Sequence, residues 1–530
     1  MDSHAMTTAS PAARPAIDPA ELAARFAAAV GAAHVSIDAA ERRAYSQDVF
    51  FWEDAPLVDV IVKPGTTDEL VAVMRAAVAA GLAIAPRGGG VSYTRGYVAD
   101  RLGTVLIDMA RFDSVHEVNR DDAYMVVGAA CTWQQVSAAL KGTGLRTVLK
   151  GPISGTHATV GGNAAQNTAS ALMSGLIGLE VVLANGDVVT TGSGMVLNRP
   201  SPFTRLYGPD LTGLFLGDTG AFGIKTKCVL ALRPEPGGVA FASVGFDTMS
   251  DMAAAMTAMA RTGVTCRLMG MDPLKNRTAT KVDMREGLDT LAKVATGSGS
   301  LFQGLKNAAR IVTAGQNVLD DVPWSLHITV ESHDQPAADS ALDSLRPHWS
   351  AKGRTLEPSV PMALYAKPYS IRGILGKNGE RWVPIHALLP LSRVAEAVER
   401  VQLFFAERQE SLDAHGISHS YITVCAGPEF VLEPMFYWFD EVGPLHARVL
   451  GDKYEKFKHI PANPAARAMV ARTRAELAEL FRELGAVHSQ LGKFYRFADN
   501  IQPGTYRALT TIKDALDPGR NLNPGNLGWR

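Results

Sequence analysis

Apolar positions along this chain switch repeatedly between a helical spacing and short continuous runs. Leu22, Phe26 and Val30 recur at helical spacing behind Asp18-Pro19, where Asp18 is the cap and Pro19 sits in the first turn. Residues 58–63 form a short apolar run that ends at Pro64 and reads as a buried strand. Thr66-Thr67-Asp68-Glu69 opens a helix that reaches Ala80, and 82–85 is the next strand. Strands follow at 104–109 and 124–129. A helix then enters at Thr132-Trp133 and is stopped by Gly142 and Gly144. Asn185-Gly186-Asp187 between the apolar runs 179–184 and 188–191 predicts a hairpin. Short strand and helix units of this kind imply an α+β or α/β arrangement.

The pattern changes character after Gly238. Strands are expected at 240–246, 266–271, 326–331, 382–389, 420–425 and 436–439. Helices are expected at 251–261, 337–345, 392–416, 463–485 and 505–516, and 275–315 reads as a looser basic stretch. Repeated strand–helix–strand units suggest an open antiparallel sheet with helices on one face.

At 530 residues the chain exceeds one typical core, so two or more domains are expected. Its 47% hydrophobic and 20% charged content is that of an ordinary globular protein, and a net charge of −1 marks no nucleic-acid binder. The best candidate membrane run, 71–85, is broken by Arg75, so no membrane association is expected. Cys131, Cys228, Cys266 and Cys425 are scattered and read as reduced core thiols. Residues 1–6 (MDSHAM) read as an appended tag and 7–17 as disordered, neither resembling a signal peptide. A cytoplasmic enzyme is the simplest expectation.

Three glycine-rich segments carry the candidate chemistry. The first, 85–97, contains Pro86-Arg87-Gly88-Gly89-Gly90-Val91-Ser92-Tyr93. A bare backbone can turn sharply and bring several N–H groups to an anion, although an isolated triple glycine is more often a surface turn. The second, 151–167, is dense in small residues and hydroxyls, which let a flat ligand lie against the backbone. The third, 214–226, contains Gly217-Asp218-Thr219-Gly220 and leads into a strand.

PRGGGVSY, PISGTHATVGGNAAQN, LANGDVVTTGSG, LYGPDLTGLFLGDTGAFGIKT and the tail DALDPGRNLNPGNLG occur in that order. Together they resemble the vanillyl-alcohol oxidase / p-cresol methylhydroxylase superfamily, whose FAD-binding domain is called PCMH-type. The resemblance implies an α+β fold: a two-subdomain FAD-binding domain at 18–237 and a cap domain at 238–490 with an antiparallel sheet covered by helices. A C-terminal segment, 491–530, would return to the FAD domain. It implies cofactor contacts from Pro86, Arg87, Gly88, Gly89, Gly90, Val91, Ser92 and Tyr93 in the first loop. From the second it implies Pro152, Thr156, His157, Thr159, Gly161, Gly162 and Asn163. From the third and the tail it implies Gly217, Thr219, Gly220, Gly223, Ile224 and Asn523. Arg87 would either add a cation to the diphosphate or brace the loop. Many relatives link FAD through a histidine in an RSGGHSY-like loop. Val91 stands there in this chain, so non-covalent FAD is expected, with a tether from the cap left open.

A cation near the flavin N1/C2 edge would stabilise the reduced ring, and the resemblance points to Lys493 in HSQLGKFYR, with Arg496 as its substitute. Candidates for the base are His386, His419, His488, Tyr437 and Tyr421, since a histidine suits proton abstraction near pH 7. A pair of tyrosines with an arginine would instead suit a phenolate, which brings in Tyr495; Tyr93, Tyr97 and Arg372 are further wall candidates. Residues 416–423 lack the HGDGN-like stretch of metal-dependent 2-hydroxyacid dehydrogenases, so no metal is expected. The leading expectation is an FAD-dependent oxidase or dehydrogenase that takes a hydride from the alcohol or benzylic carbon of a small para-substituted phenol. Dioxygen or an electron carrier would be the acceptor, and a homodimer is compatible with the sequence. The alternatives are a 2-hydroxy-acid dehydrogenase of the lactate or glycolate type, a non-redox flavoprotein such as an alkyl transferase, and a binding protein with a degenerate flavin site.

Overall fold

The computed structural model describes residues 18–148, 150–168, 174–198, 200–275, 321–369, 374–376 and 378–529. Arg372, and all of the basic stretch beyond Lys275 up to 315, lie outside these residues.

Three sheets organise the chain. The first has four strands in the order Val35–Ser36, Val60–Val62, Thr104–Asp108, Ala83–Arg87. Its last three are parallel. The helix Pro19–Val30, capped by the Asp18 side chain, and the helix Thr67–Ala79 share a core with it through Leu22, Phe26, Val73 and Ile84. The second sheet is antiparallel and is built around the strand Ile224–Pro234, which pairs with Tyr124–Gly128 on one side and Leu176–Val182 on the other. The expected hairpin is present: the Leu183 amide donates to the Asp187 carbonyl at 2.9 Å across Gly186.

The third sheet is antiparallel, with strand order Arg354–Leu356, Gly238–Phe246, Trp324–Ser332, Cys266–Met271, Ser418–Ala426, Glu429–Trp438, Arg381–Pro384. Helices Met249–Ala260, Val394–Ala406 and Pro464–Glu483 bury their apolar stripes against one face, where Leu268, Ile328, Phe405 and Phe436 join a single core. The strand expected at 436–439 is longer than its apolar run, because Glu429–Trp438 pairs along its length with Ser418–Ala426. The helix expected at 392–416 is instead two, Val394–Ala406 and Gln409–Ala414. The break is capped locally. The Arg408 amide shifts to the Phe405 carbonyl, and Arg408 Nη1 donates to the freed Phe404 carbonyl at 3.0 Å, closing the last turn of the first helix.

The tail returns to the first sheet. The Ile84 amide donates to the Asn521 carbonyl, and the Asn523 amide donates to the Ile84 carbonyl, both at 2.8 Å. Buried arginines tie the large sheet to the N-terminal half. Arg381 donates to the Val49 and Phe50 carbonyls, and Arg474 to the Tyr93 carbonyl. No helix among the described residues is long and apolar enough to cross a membrane.

Candidate functional site

The three glycine-rich segments meet. The strand Ala83–Arg87 delivers the first loop against the second, so closely that a Cβ on Gly89 would fall on the His157 carbonyl. The third segment bonds to the second through its backbone: the Gly217 amide donates to Ala164 at 2.9 Å and the Thr219 amide to Ala165 at 2.8 Å. Gly220, at φ +76°, lies over the Pro86 ring, where a Cβ would approach to 2.8 Å. Thr159 caps the helix Val160–Gln166 through its hydroxyl, which accepts from the Gly162 amide at 3.2 Å.

Within this junction the side chains divide by role. The Arg87 guanidinium lies over the Tyr45 and Tyr97 rings at 4.6 and 5.4 Å, so it braces the loop from beneath. Gly161 and Gly223 pack against Ala129 and Val181, and Ile224 lies in the core of the first sheet, so these three hold the segments together. Asn523 spends both amide hydrogens on the Gly96 and Thr219 carbonyls and closes the tail over the loops. His157 is half-buried, Pro152 likewise, and Thr156 is exposed. Val91 packs against the cores on both sides of the junction, and Ser92 shares its hydroxyl with Thr94 at 3.3 Å.

A second cluster lies where the first loop meets the large sheet. The Tyr93 hydroxyl is 3.0 Å from His386 Nε2 and accepts from Gln490 Nε2 at 2.8 Å. His386 Nε2 is 3.7 Å from the Glu433 carboxylate. The Tyr495 hydroxyl accepts from the His386 amide at 3.0 Å, and His488 Nδ1 donates to the His386 carbonyl at 2.7 Å while its ring stacks on Tyr495. Burial holds the His386 imidazole down at about 3, so it is neutral near pH 7, and pushes the Glu433 carboxyl up to about 7 against the opposing pull of Lys275. Arg474 is fully buried behind both tyrosines, sandwiched between the Phe50 and Phe494 rings, with Nε and Nη1 unpartnered.

Three sequence expectations need correction. Lys493 does not present a free cation. Its ammonium donates to the Arg95 carbonyl, the Val98 carbonyl and Asn523 Oδ1 at 3.2, 2.8 and 3.3 Å, which uses all three hydrogens. Arg496 is exposed and pairs with Asp499 on the surface. His419 lies on the helix-covered face, stacked on Phe405 at 4.2 Å, because strand alternation points it away from Glu433. Tyr93, expected both at the cofactor and on the substrate wall, sends its hydroxyl into the His386 cluster. Tyr437 shares the Glu433 face, with Lys275 5.2 Å from its ring centre. Glu433, Gln490 and Arg474 escaped the sequence reading. A carboxylate inside the apolar run Leu432-Glu433-Pro434-Met435 was the available signal for the first.

The junction of the glycine segments suits FAD. Asn163 Nδ2 and Gln166 Oε1 are buried there without partners, and the polar edges of a dinucleotide are groups that could satisfy them. Among the described residues no group of three or more His, Cys, Asp or Glu side chains could hold a metal.

Comparison with known proteins agrees with this geometry. Residues 58–192 match the family described as FAD binding domain. The chain is 25% identical over 239 residues to the mitochondrial D-lactate dehydrogenase [cytochrome] 1 of Saccharomyces cerevisiae, covering 43% of this chain and 39% of that protein. It is 30% identical over 185 residues to glycolate oxidase subunit GlcD of Bacillus subtilis, covering 34% and 37%. The chain thus spans well under half the length of these curated relatives. Among solved structures, 4-ethylphenol oxidase from Gulosibacter chungangensis superposes with a TM-score of 0.69 at 18% identity, over 96% of this chain and 97% of that one. Substrate-bound p-cresol methylhydroxylase gives 0.69 at 18% over 96% of each chain, and alkyldihydroxyacetonephosphate synthase 0.67 at 14% over 97% and 87%. Residues 58–192 are therefore an FAD-binding domain with FAD as its cofactor, and the chain as a whole shares the fold of 4-ethylphenol oxidase and p-cresol methylhydroxylase.

Proposed function

We propose that this protein is an FAD-dependent oxidoreductase acting on the alcohol or benzylic carbon of a small para-substituted phenol, with FAD held non-covalently. The observation that carries this reading is the Tyr93–His386–Glu433 unit, flanked by Tyr495 and backed by Arg474. When bound, FAD supplies the two-electron acceptor; Gly88 to Ser92, Thr159 to Asn163 and Gly217 to Gly220 would hold it.

The chain's own groups divide the remaining work. Gln490 donates to the Tyr93 hydroxyl, so that hydroxyl gives its proton to His386 Nε2, and the imidazole proton sits on Nδ1. Nδ1 is buried without a partner, which leaves a donor for a bound substrate. Glu433, poised near neutrality, is the base. The hydroxyls of Tyr93 and Tyr495 converge at His386 with the Arg474 cation behind them, so a phenolate oxygen would take the His386 Nδ1 hydrogen and the Tyr495 hydroxyl hydrogen. Electrons leave to dioxygen or to an electron carrier.

The lactate and glycolate relatives favour a second reading, oxidation of a 2-hydroxy acid. Their matches, over 34–43% of this chain, support the cofactor more than the substrate. Anaerobic titration of the oxidised holoenzyme discriminates. Bleaching by 4-hydroxybenzyl alcohol or a 4-alkylphenol supports the proposal. Bleaching by D-lactate or glycolate alone overturns it, and a flavin that bleaches with neither turns the reading toward non-redox chemistry.

A further inference from the structure

Away from the His386 cluster, four cations gather at the seam between the second and third sheets. Arg146 lies in the strand Leu145–Thr147, Lys150 just after it, Arg233 in Ile224–Pro234, and Arg267 in Cys266–Met271. The Arg146 guanidinium bonds the Glu331 carboxylate at 2.5 Å, and Arg233 lies 3.6 Å from the same carboxylate. Glu235, about half exposed, is 4.0 Å from Arg146. Two carboxylates therefore face four cations. Lys150 donates to the Tyr365 carbonyl and lies 3.3 Å from that ring's centre, with no carboxylate in contact. Arg267 donates no side-chain hydrogen bond among the described residues, although it feels Glu331 through space. Arg146 Nε, whose contact with Glu235 is too long for a hydrogen bond, and Arg233 Nε are buried without hydrogen-bond partners. Mutual repulsion among the cations is therefore incompletely offset, the condition that an arriving anion relieves.

The cluster's place in the sheet indicates which anion. Arg267 pairs with Thr329, and Met271, four residues on, pairs with Ile422, which pairs with Glu433. Arg267 and Glu433 thus lie on the same face, opposite the helices, about 16 Å apart between backbones by strand geometry. Met269, Ile422 and Val424 make an apolar floor between them. Lys150 immediately precedes the second glycine segment, and the Tyr369 hydroxyl ties its carbonyl down at 2.5 Å. A 2-hydroxy acid carries its carboxylate on the carbon next to the reacting one and cannot reach both ends. A longer ligand can.

We propose that Lys150 and Arg267, set on the Arg146–Glu331–Arg233 frame, form a subsite for the terminal carboxylate of an aromatic acid whose phenol end occupies the His386 cluster. This deepens the phenolic reading and rests on it. The test compares 3-(4-hydroxyphenyl)propanoate with 4-propylphenol, which share the ring and differ in the chain's terminal carboxylate. In the wild-type holoenzyme KM for the acid is expected at least tenfold below that for the neutral phenol, with the advantage shrinking as salt rises. Arg267→Gln and Lys150→Met should each remove most of that advantage through KM, with kcat on the acid changed less than twofold. Arg267 is exposed, so its variant tests binding with little risk to folding. Equal KM values in the wild type, or variants that weaken both ligands alike, overturn the subsite. The same pair is titrated against the oxidised flavin spectrum without turnover. If neither compound is oxidised but the acid still binds more tightly through Arg267, the subsite stands and the phenol-oxidising reading falls. If both are oxidised with no preference for the acid, the reverse holds.

Discussion

Tyr93 and His386 lie 293 positions apart in the chain and share a 3.0 Å hydrogen bond. One comes from the loop that opens the cofactor site, the other from the junction between the strands Arg381–Pro384 and Ala387–Pro390 of the large sheet. The bond therefore registers the two halves on each other at the point where chemistry is proposed.

Removing that hydroxyl leaves His386 Nε2 and Gln490 Nε2 without their shared partner. Tyr93→Phe is expected to lower kcat on a phenolic substrate by about 100-fold, within the range of a lost acid–base contact. FAD content should be unchanged, because the hydroxyl faces the sheet. Stopped-flow measurement of flavin bleaching, with the 450 nm absorbance of the purified protein as control, checks both statements. Loss of flavin with little change in rate per flavin would return Tyr93 to a cofactor role.

Gly89→Ala tests the cradle. A methyl there would overlap the His157 carbonyl, and forced overpacking of this kind costs about 1–3 kcal/mol. The first loop must lift off the second, so FAD affinity should fall about tenfold or more. Equilibrium dialysis of the apoprotein with FAD reads the change. An unchanged affinity would mean that the two loops separate freely and that their contact does not shape the site.

The meeting of the glycine segments is legible in the sequence. Segments that must approach one another through bare backbone need glycine, and runs such as Gly88-Gly89-Gly90 leave a mark that survives without context. The His386 cluster leaves no such mark. Glu433 reaches His386 only because Glu429–Trp438 pairs with Ser418–Ala426 in one register, and a slip of one residue would turn it into the helix-covered core. His419 and Ser420 are neighbours in sequence and opposites in space for the same reason. Lys493 misled because its type suits a flavin edge, while its three acceptors come from residues about 30 and 400 positions away.

Lys493 and Arg496 make a paired prediction. Lys493→Met strips donors from two carbonyls and the Asn523 amide oxygen, and orphaned buried acceptors cost about 1–3 kcal/mol each. The expected result is a drop in Tm of several degrees with partial FAD loss, whereas Arg496→Ala, which breaks one exposed pair, should leave Tm nearly unchanged. Differential scanning fluorimetry of the two variants decides. A Lys493→Met protein with native Tm and altered flavin potential would restore the cation to the cofactor.

FAD linkage is open to a direct check. Val91 offers the flavin no nucleophile, so acid precipitation should leave all yellow colour in the supernatant. Colour retained in the pellet would locate a tether elsewhere in the chain, and peptide mapping of the fluorescent fragment would identify it.

Glu433 makes the pH dependence specific. Burial raises its carboxyl from 4.5 to about 7, so the base form is scarce in mild acid. Below about pH 7 the log of kcat/KM should rise with unit slope, then level off, and Glu433→Gln should lower the plateau by 100-fold or more and abolish the slope. Stability runs the other way. A carboxyl whose folded pKa exceeds its unfolded value binds more protons in the native state, so its contribution is full below pH 4.5 and is lost as pH rises through 7. Glu433→Gln, neutral at every pH, should therefore melt higher than the wild type at pH 8 and show little difference at pH 4.5. Activity lost while stability at pH 8 is gained is the signature of a buried base kept for chemistry. A variant that loses both would make Glu433 a structural partner of His386, and the base would have to be sought in Tyr437 or His488.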